Sequence, residues 1–260
     1  MLKLFQYLLR WLLLSAVFFS GSGVAQTLAL YCEDDRPLQF VDSDGKLTGF
    51  TIEIVQEIQK RLGNNDRIQV VPWARGIDKI DNNPNTFLFS MARTPEREAA
   101  YQWIGPIKAN VYGLYAKADS TLRVTSMEEA KQLSLIGVYR SDVRDQTLTR
   151  LGFTNLDRAS SNISSFKKLM MGRIPAYTDS QLGVESLALA SGFQTKDVKL
   201  LFELFKSELY IAVSKQTDKK IVDQWNQTLD QMKQDKTFAK IEKKYIPQAL
   251  TVKEAPTSNR

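Results

Sequence analysis

Short apolar runs alternate with amphipathic helical stretches along this chain, the layering of an α/β fold. From Phe50 onward, Ile54, Val55, Ile58 and Leu62 fall on one helical face, and Gly63 stops the helix. Around it, Thr27 to Tyr31, Arg67 to Trp73 and Thr86 to Ser90 read as strands, and Ala74 to Ile80 as a short helix. The first part of the chain is thus β-α-β-α-β, a small sheet with helices on its faces. Asp42-Ser43-Asp44-Gly45 reads as a turn with glycine at its left-handed position.

A second unit of the same kind begins near Val111. Ser126 and Glu129 form a capping box for a helix through Gln132. Leu133 to Tyr139 reads as a strand, Ser141 and Asp142 cap the next helix, and Gly152 ends it. Ser164-Ser165 opens a helix to Gly172, Ile174 to Thr178 is a strand, and Asp179 stands at the start of another helix. Leu200 to Leu204 and Leu209 to Val213 are further strands. Two helices follow, Asp218 to Gln234, with Ile221, Val222, Trp225, Leu229 and Met232 on one face, and Thr237 to Tyr245.

The N-terminus changes the picture by adding a destination. Lys3 and Arg10 precede an apolar run from Trp11 to Phe19, and Gly21 to Ala25 supplies small residues for cleavage, expected after Ala25. The run is short for a bilayer core of roughly 30 Å, and no cysteine follows it as in a lipid anchor. The chain reads as exported to the periplasm, leaving about 235 residues for the folded protein. Its one cysteine, Cys32, sits in a strand-like run and reads as a buried small hydrophobe, so no intrachain disulfide is expected. Losing Lys3 and Arg10 lowers the formal charge from +6 to +4, too mild for a nucleic-acid footprint. The chain has no histidine and no cysteine cluster, which removes histidine-based triads and argues against a zinc site; no cofactor is expected.

One stretch carries candidate chemistry. The apolar run ending at Ser90 leads through Met91-Ala92-Arg93 into Thr94-Pro95-Glu96-Arg97. A strand delivering small and hydroxyl residues to a helix start presents free backbone N–H groups. Arg97, about one turn on, is placed to grip a carboxylate with two parallel hydrogen bonds. The alternative is an ordinary helix cap followed by a surface arginine. Trp73 and Arg75 follow another strand end, where Trp73 either stacks on a ligand or belongs to the core.

Several motifs occur together in register: Arg36-Pro37-Leu38-Gln39-Phe40, Asp44-Gly45-Lys46-Leu47-Thr48-Gly49-Phe50, Thr94-Pro95-Glu96-Arg97, Ile104-Gly105-Pro106 and the ending Gln234 to Ile241 with Lys244-Tyr245. In this the chain resembles the type 3 periplasmic solute-binding proteins, the polar amino-acid binding components of ABC transporters. The resemblance covers essentially the whole mature chain. It implies the type II periplasmic binding protein fold, two α/β lobes joined by two crossing strands, with ligand enclosed by hinge closure. The lobes implied are 26–110 with 210–250, and 111–209, after a signal peptide at 1–25 and before a flexible tail at 251–260. It also implies a monomer that passes a small solute to an inner-membrane permease, without catalysis.

Carried over by position, the resemblance makes Arg97 the arginine for the ligand α-carboxylate and Ser90 a strand-end residue facing the ligand. It makes Phe50 the aromatic stacked on the ligand side chain and Asp179 the acceptor of the α-ammonium. Phe50 otherwise reads as a core residue, and Asp179 as a helix cap. The chain also departs from the pattern. Ala92 stands where a hydroxyl residue is common, and Ser141-Asp142-Val143 replaces a Gly-Ser-Thr-like anion-binding turn. Asp142 would repel a carboxylate there, or cap its helix. With Asp34, Asp35 and Asp179 it would line one mouth of the cleft, which favours a cationic or amine-bearing ligand; Glu33 and Asp35 otherwise read as solvated loop acids. Two other functions remain open: a cyclohexadienyl dehydratase-like enzyme on the same fold, and a sensor partner acting in trans.

Overall fold

The computed structural model describes residues 27–246. The expected signal peptide, its cleavage point and the tail 251–260 lie outside the described residues.

The strands are β1 Ala29–Cys32, β2 Phe40–Val41, β3 Leu47–Thr48, β4 Ile68–Val70, β5 Thr86–Ala92, β6 Tyr101–Lys117, β7 Ile136–Tyr139, β8 Leu156–Ala159, β9 Ala176–Ser180 and β10 Val198–Ser214. The helices are α1 Phe50–Leu62, α2 Trp73–Asn82, α3 Pro95–Glu98, α4 Met127–Lys131, α5 Val143–Arg150, α6 Asn162–Met170, α7 Gln181–Ala190, α8 Lys219–Gln234 and α9 Thr237–Tyr245. The main sheet has the order β4-β1-β5-β10-β6-β9-β7-β8. Parallel β4, β1 and β5 make one lobe, and parallel β9, β7 and β8 the other. Between them β6 and β10 run antiparallel to each other and reach into both lobes.

Three departures from the periodicity have physical causes. The two short strands read at Leu200 and Leu209 are one 17-residue strand. Polar Lys206, Ser207 and Glu208 interrupt its apolar pattern where the crossing strands leave both cores. The parallel strand β8, with the charged pair Asp157-Arg158 at its centre, is an edge strand that no apolar run announces. Asp179 is the penultimate residue of β9; Ser180, one residue on, caps α7 by accepting from the Gly183 N–H.

The first lobe is centred on Leu30, Phe50, Ile54, Ile58, Phe87 and Phe89, and α8 packs Trp225 onto Phe87 at 4.8 Å between rings. Burying such aromatic and aliphatic side chains contributes roughly 1.5–3 kcal/mol each before chain entropy is set against it. The second lobe has an apolar cluster around Leu114, Ile136, Val138 and Leu148, and another around Phe166, Tyr177 and Val184. Cys32 lies in the first core, where burial pushes its thiol pKa up to about 12. Gly49 is required by close approach: a Cβ there would stand 2.5 Å from the Leu38 carbonyl oxygen. That contact clamps the loop after β1 against the start of α1.

Candidate functional site

Parallel strands end their lobes facing the space between them, where open α/β sheets place ligands. Here β1, β5 and α2 of one lobe confront β9, α5 and α7 of the other. The cleft is lined by Glu33, Asp35, Arg36, Trp73, Ser90, Arg97, Asp142, Arg144 and Asp179, among others.

Arg97 is 7 % exposed. Its Nη1 donates to the Ala92 carbonyl at 3.1 Å and its guanidinium carbon lies 5.6 Å from the Trp73 ring centre. It has no ion-pair partner among the described residues, and burial lowers its pKa. A desolvated cation without a counter-charge is costly; a ligand carboxylate removes that cost. The helix expected to help is only the turn Pro95–Glu98, and its Arg97 and Glu98 N–H groups are bonded to the Thr94 carbonyl. No row of free helix amides is offered here, and the Arg97 guanidinium is the buried cationic group at this end of the cleft.

Ser90 lines the cleft beside it in the left-handed region, φ 56°, a conformation uncommon for a residue with a Cβ. Its hydroxyl donates to Gln39 Oε1 at 2.7 Å and shares a 2.9 Å hydrogen bond with Thr51. Trp73 is buried at the head of α2 and lines the same space. Phe50 does not. It is 0 % exposed, packed edge-on to Phe238 at 5.6 Å inside the first lobe. The helix it opens turns that side chain under the sheet, and the aromatics that line the cleft are Trp73 and Tyr112. Arg75 is exposed and Arg93 pairs with Glu98 at 2.5 Å; neither lines the cleft.

The opposite lobe contains the residue that sequence reasoning missed, Arg144. It is buried between Asp142 and Asp179, with Nη2 at 2.5 Å from Asp142 Oδ2 and Nη1 at 3.0 Å from Asp179 Oδ1. Its Nη2 also donates to Asn162 Oδ1 at 2.7 Å. Asp142 caps α5 through Oδ1, which accepts from the N–H groups of Arg144 and Asp145. Asp179 accepts from the Ser180 N–H at 2.8 Å and the Tyr177 hydroxyl at 2.6 Å. Neither carboxylate is therefore the bare acid expected at the cleft mouth: both are spoken for by Arg144. Asp179 retains acceptor capacity, since a carboxylate has about four lone-pair sites and three are used. A Cβ at Gly183 would run into this carboxylate, so the close approach of α7 requires glycine.

Glu33 and Asp35 extend from the loop after β1 into the cleft, while Asp34 is exposed outside it. Burial, then the charges of Asp35 and Asp142, hold Glu33 well above the usual carboxylate range, against a Tyr139 hydrogen bond and Arg144. Asp35 is pushed up to about 7, chiefly by burial and then by Asp179. Two carboxyls with raised pKa values thus face one cleft, each favouring its protonated form until a positive charge comes near.

The lobes are drawn together. Trp73 Nε1 donates to the Ser141 carbonyl across the cleft at 3.2 Å, Tyr139 packs in a cluster with Trp73, and Arg150 meets Glu96 at 3.0 Å. The remaining space is about 40 Å³. Among the described residues no group of three or more Cys, Asp or Glu side chains is placed to hold a metal ion, and no helix is long and apolar enough to cross a membrane.

Residues 29–248 match the family model of the bacterial extracellular solute-binding proteins, family 3, and the chain belongs to that family. It is 23 % identical over 212 residues to the L-cystine-binding protein TcyA of Bacillus subtilis (strain 168), covering 81 % of this chain and 77 % of that one. Among solved structures, an ancestral arginine-binding protein bound to arginine superposes with a TM-score of 0.76 at 22 % identity, covering 85 % of this chain and 98 % of the other. A histidine kinase sensor domain with similarity to periplasmic binding proteins superposes with a TM-score of 0.78 at 14 % identity, covering 85 % and 96 %. The two-lobed binding-protein fold is shared with both solved structures.

Proposed function

We propose that this protein captures an amino acid with a basic side chain between its lobes, in the periplasm, and delivers it to an ABC permease. The observation that carries the reading is Arg97, buried at the cleft floor with no ion-pair partner among the described residues. It takes the α-carboxylate in a bidentate pair. Cationic groups of the ligand are received by Glu33, Asp35 and the remaining acceptor site of Asp179, and Trp73 supplies an aromatic wall. Four carboxyl groups, Glu33, Asp35, Asp142 and Asp179, line the cleft against three guanidiniums, Arg36, Arg97 and Arg144, so with the acids ionised it favours a ligand with more positive than negative charge. The named ligands of the relatives, cystine and arginine, are of the amino-acid class this reading requires.

The test is a thermal-shift screen of mature protein, unfolded and refolded to strip bound solute, against amino acids, polyamines, peptides and organic acids. A ligand at 100 times its Kd stabilises by roughly 2.7 kcal/mol, which raises Tm by about 5–11 °C at this size. Shifts with lysine, ornithine or arginine support the reading. Shifts confined to neutral or acidic solutes overturn it.

One observation favours a second reading. Asp35, at a pKa of about 7, keeps a proton near neutrality, as a general acid for a departing hydroxyl must. Turnover of prephenate or arogenate by the purified protein would establish a dehydratase; absence of product leaves the binding role.

A further inference from the structure

Gln39 stands behind the cleft wall and joins the loop of Asp35 to the strand end of Ser90. It is fully buried, and its main chain closes that loop. The Asp35 N–H donates to the Gln39 carbonyl at 2.7 Å, and the Gln39 N–H to the Asp35 carbonyl at 2.9 Å. Its side-chain oxygen accepts from the Ser90 hydroxyl at 2.7 Å. Thr51, fully buried in the first turn of α1, has its hydroxyl 2.9 Å from that of Ser90 and donates its N–H to the Leu38 carbonyl at 2.8 Å. A hydroxyl has one hydrogen to give and two acceptor sites. The Ser90 hydrogen goes to Gln39, so Thr51 is the donor in the other bond. Ser90 has no hydrogen left for a solute.

Ser90 needs such a hold. At φ 56° its backbone is in a region that a residue with a Cβ enters at a cost. Phe89 and Ser90 together stand opposite Ile211, a bulge in the pairing of β5 with β10. A bulge re-aims the strand beyond it, and that strand end carries the Ala92 carbonyl to which Arg97 Nη1 donates at 3.1 Å. The Nε2 of Gln39 is buried and, among the described residues, without a partner, so this side chain contributes through its oxygen. We infer that Gln39 and Thr51 are positioning residues. They latch Ser90 in its left-handed conformation, and through the end of β5 they hold Arg97 in place for a carboxylate. The latch rests on the amino-acid reading above and deepens it by turning the Ser90 hydroxyl to the protein, away from the solute.

L-Arginine titrated calorimetrically into stripped protein tests it. Ser90→Gly accepts a positive φ unaided, whereas Ser90→Ala keeps a Cβ and lacks the hydroxyl. Ser90→Gly is therefore expected to bind at least about fivefold more tightly than Ser90→Ala. Gln39→Leu weakens wild-type binding by about tenfold, yet changes affinity by less than about twofold in the Ser90→Gly background. Thr51→Val repeats this pattern should Gln39→Leu melt too low to titrate. Equal weakening by Ser90→Gly and Ser90→Ala would mean that the hydroxyl acts on the solute directly, and overturns the latch. Undiminished affinity in both Gln39→Leu and Thr51→Val overturns it too. A second readout needs no solute: the Arg93 amide, bonded to the Glu208 carbonyl at 3.1 Å just past the bulge, exchanges its hydrogen faster in Ser90→Ala and Gln39→Leu than in Ser90→Gly. Failure of the wild-type protein to bind L-arginine rejects the basic amino-acid reading, and that exchange then decides the latch: equal rates in the three variants overturn it.

Discussion

Arg144 Nη1 lies 3.0 Å from Asp179 Oδ1, both side chains buried, so the lobe facing Arg97 meets a ligand with its principal acid already paired. The same guanidinium holds Asp142. This lobe therefore offers a neutralised wall, and the cleft's charged groups outside ion pairs among the described residues are Arg36 and Arg97 on one hand and Glu33 and Asp35 on the other, all on the first lobe.

Arg97→Ala is expected to weaken any carboxylate ligand at least 100-fold, about 2.7 kcal/mol. The empty protein does not lose melting temperature, because among the described residues the removed charge has no ion-pair partner to strand and its burial is itself unfavourable. Calorimetry and a melt on the same sample check both halves; retained affinity sinks the carboxylate assignment.

Asp179→Asn acts on stability before it acts on binding. Breaking one arm of a buried ion pair leaves a charge undercompensated, and Arg144 keeps only Asp142 as its carboxylate partner. A double-mutant cycle with Arg144→Gln, read by urea unfolding, is expected to show a coupling of about 1 kcal/mol or more. Additive effects would mean that the two side chains act independently.

Asp35 makes both stability and affinity depend on pH. Its folded-state pKa is raised from 3.8 to about 7, so between those values the folded state binds more protons than the unfolded one. Its contribution is complete at low pH and declines as pH rises from about 4 to about 7. The groups that set this are Asp179 on β9, Arg144 and Asp142 at the start of α5, and Asp34 in its own loop. Binding of L-arginine runs the other way, since the cation needs the ionised acid: affinity falls by up to about tenfold per unit below pH 7. Asp35→Asn flattens both profiles. An unchanged slope in that variant removes Asp35 from among the ligand's partners.

Phe50→Ala is expected to cost about 3–5 kcal/mol, the range for deleting a buried aromatic, and to leave ligand affinity within about twofold below the melting transition. A large affinity loss without destabilisation would return Phe50 to the cleft.

Much of this site is legible in the sequence because strand ends announce themselves. Ser90, Trp73 and Arg97 each follow an apolar run that stops abruptly, and the sheet brings such stops to one rim. Phe50 misleads because a helix's first apolar residue has the same signature whether it faces ligand or core, and only the packing of Phe238 decides. Arg144 is silent because nothing local marks it: its partners lie two residues before it and on a strand 35 residues away. The one signal available was Asp142 itself, an acid at the cleft rim that needed a buried cation. Asp35 is placed at the cleft mouth by the resemblance, with a solvated loop acid as the alternative, and Glu33 is weighed only as such; charged runs after strands are usually solvated, and the burial of both depends on the opposing lobe.

The long pair β6 and β10 is hydrogen-bonded from Tyr101 opposite Ser214 to Lys117 opposite Val198, with irregularities between Leu200 and Phe202, Glu203 and Phe205, and Leu209 and Ile211. Such a ribbon cannot slide, since a one-residue slip turns every side chain to the wrong face, yet it flexes where its ladder is broken. Were the lobes to part, the ribbon would bend at these breaks and keep its pairing, so the two halves of the site would return along one track, with an alignment set when the chain folded.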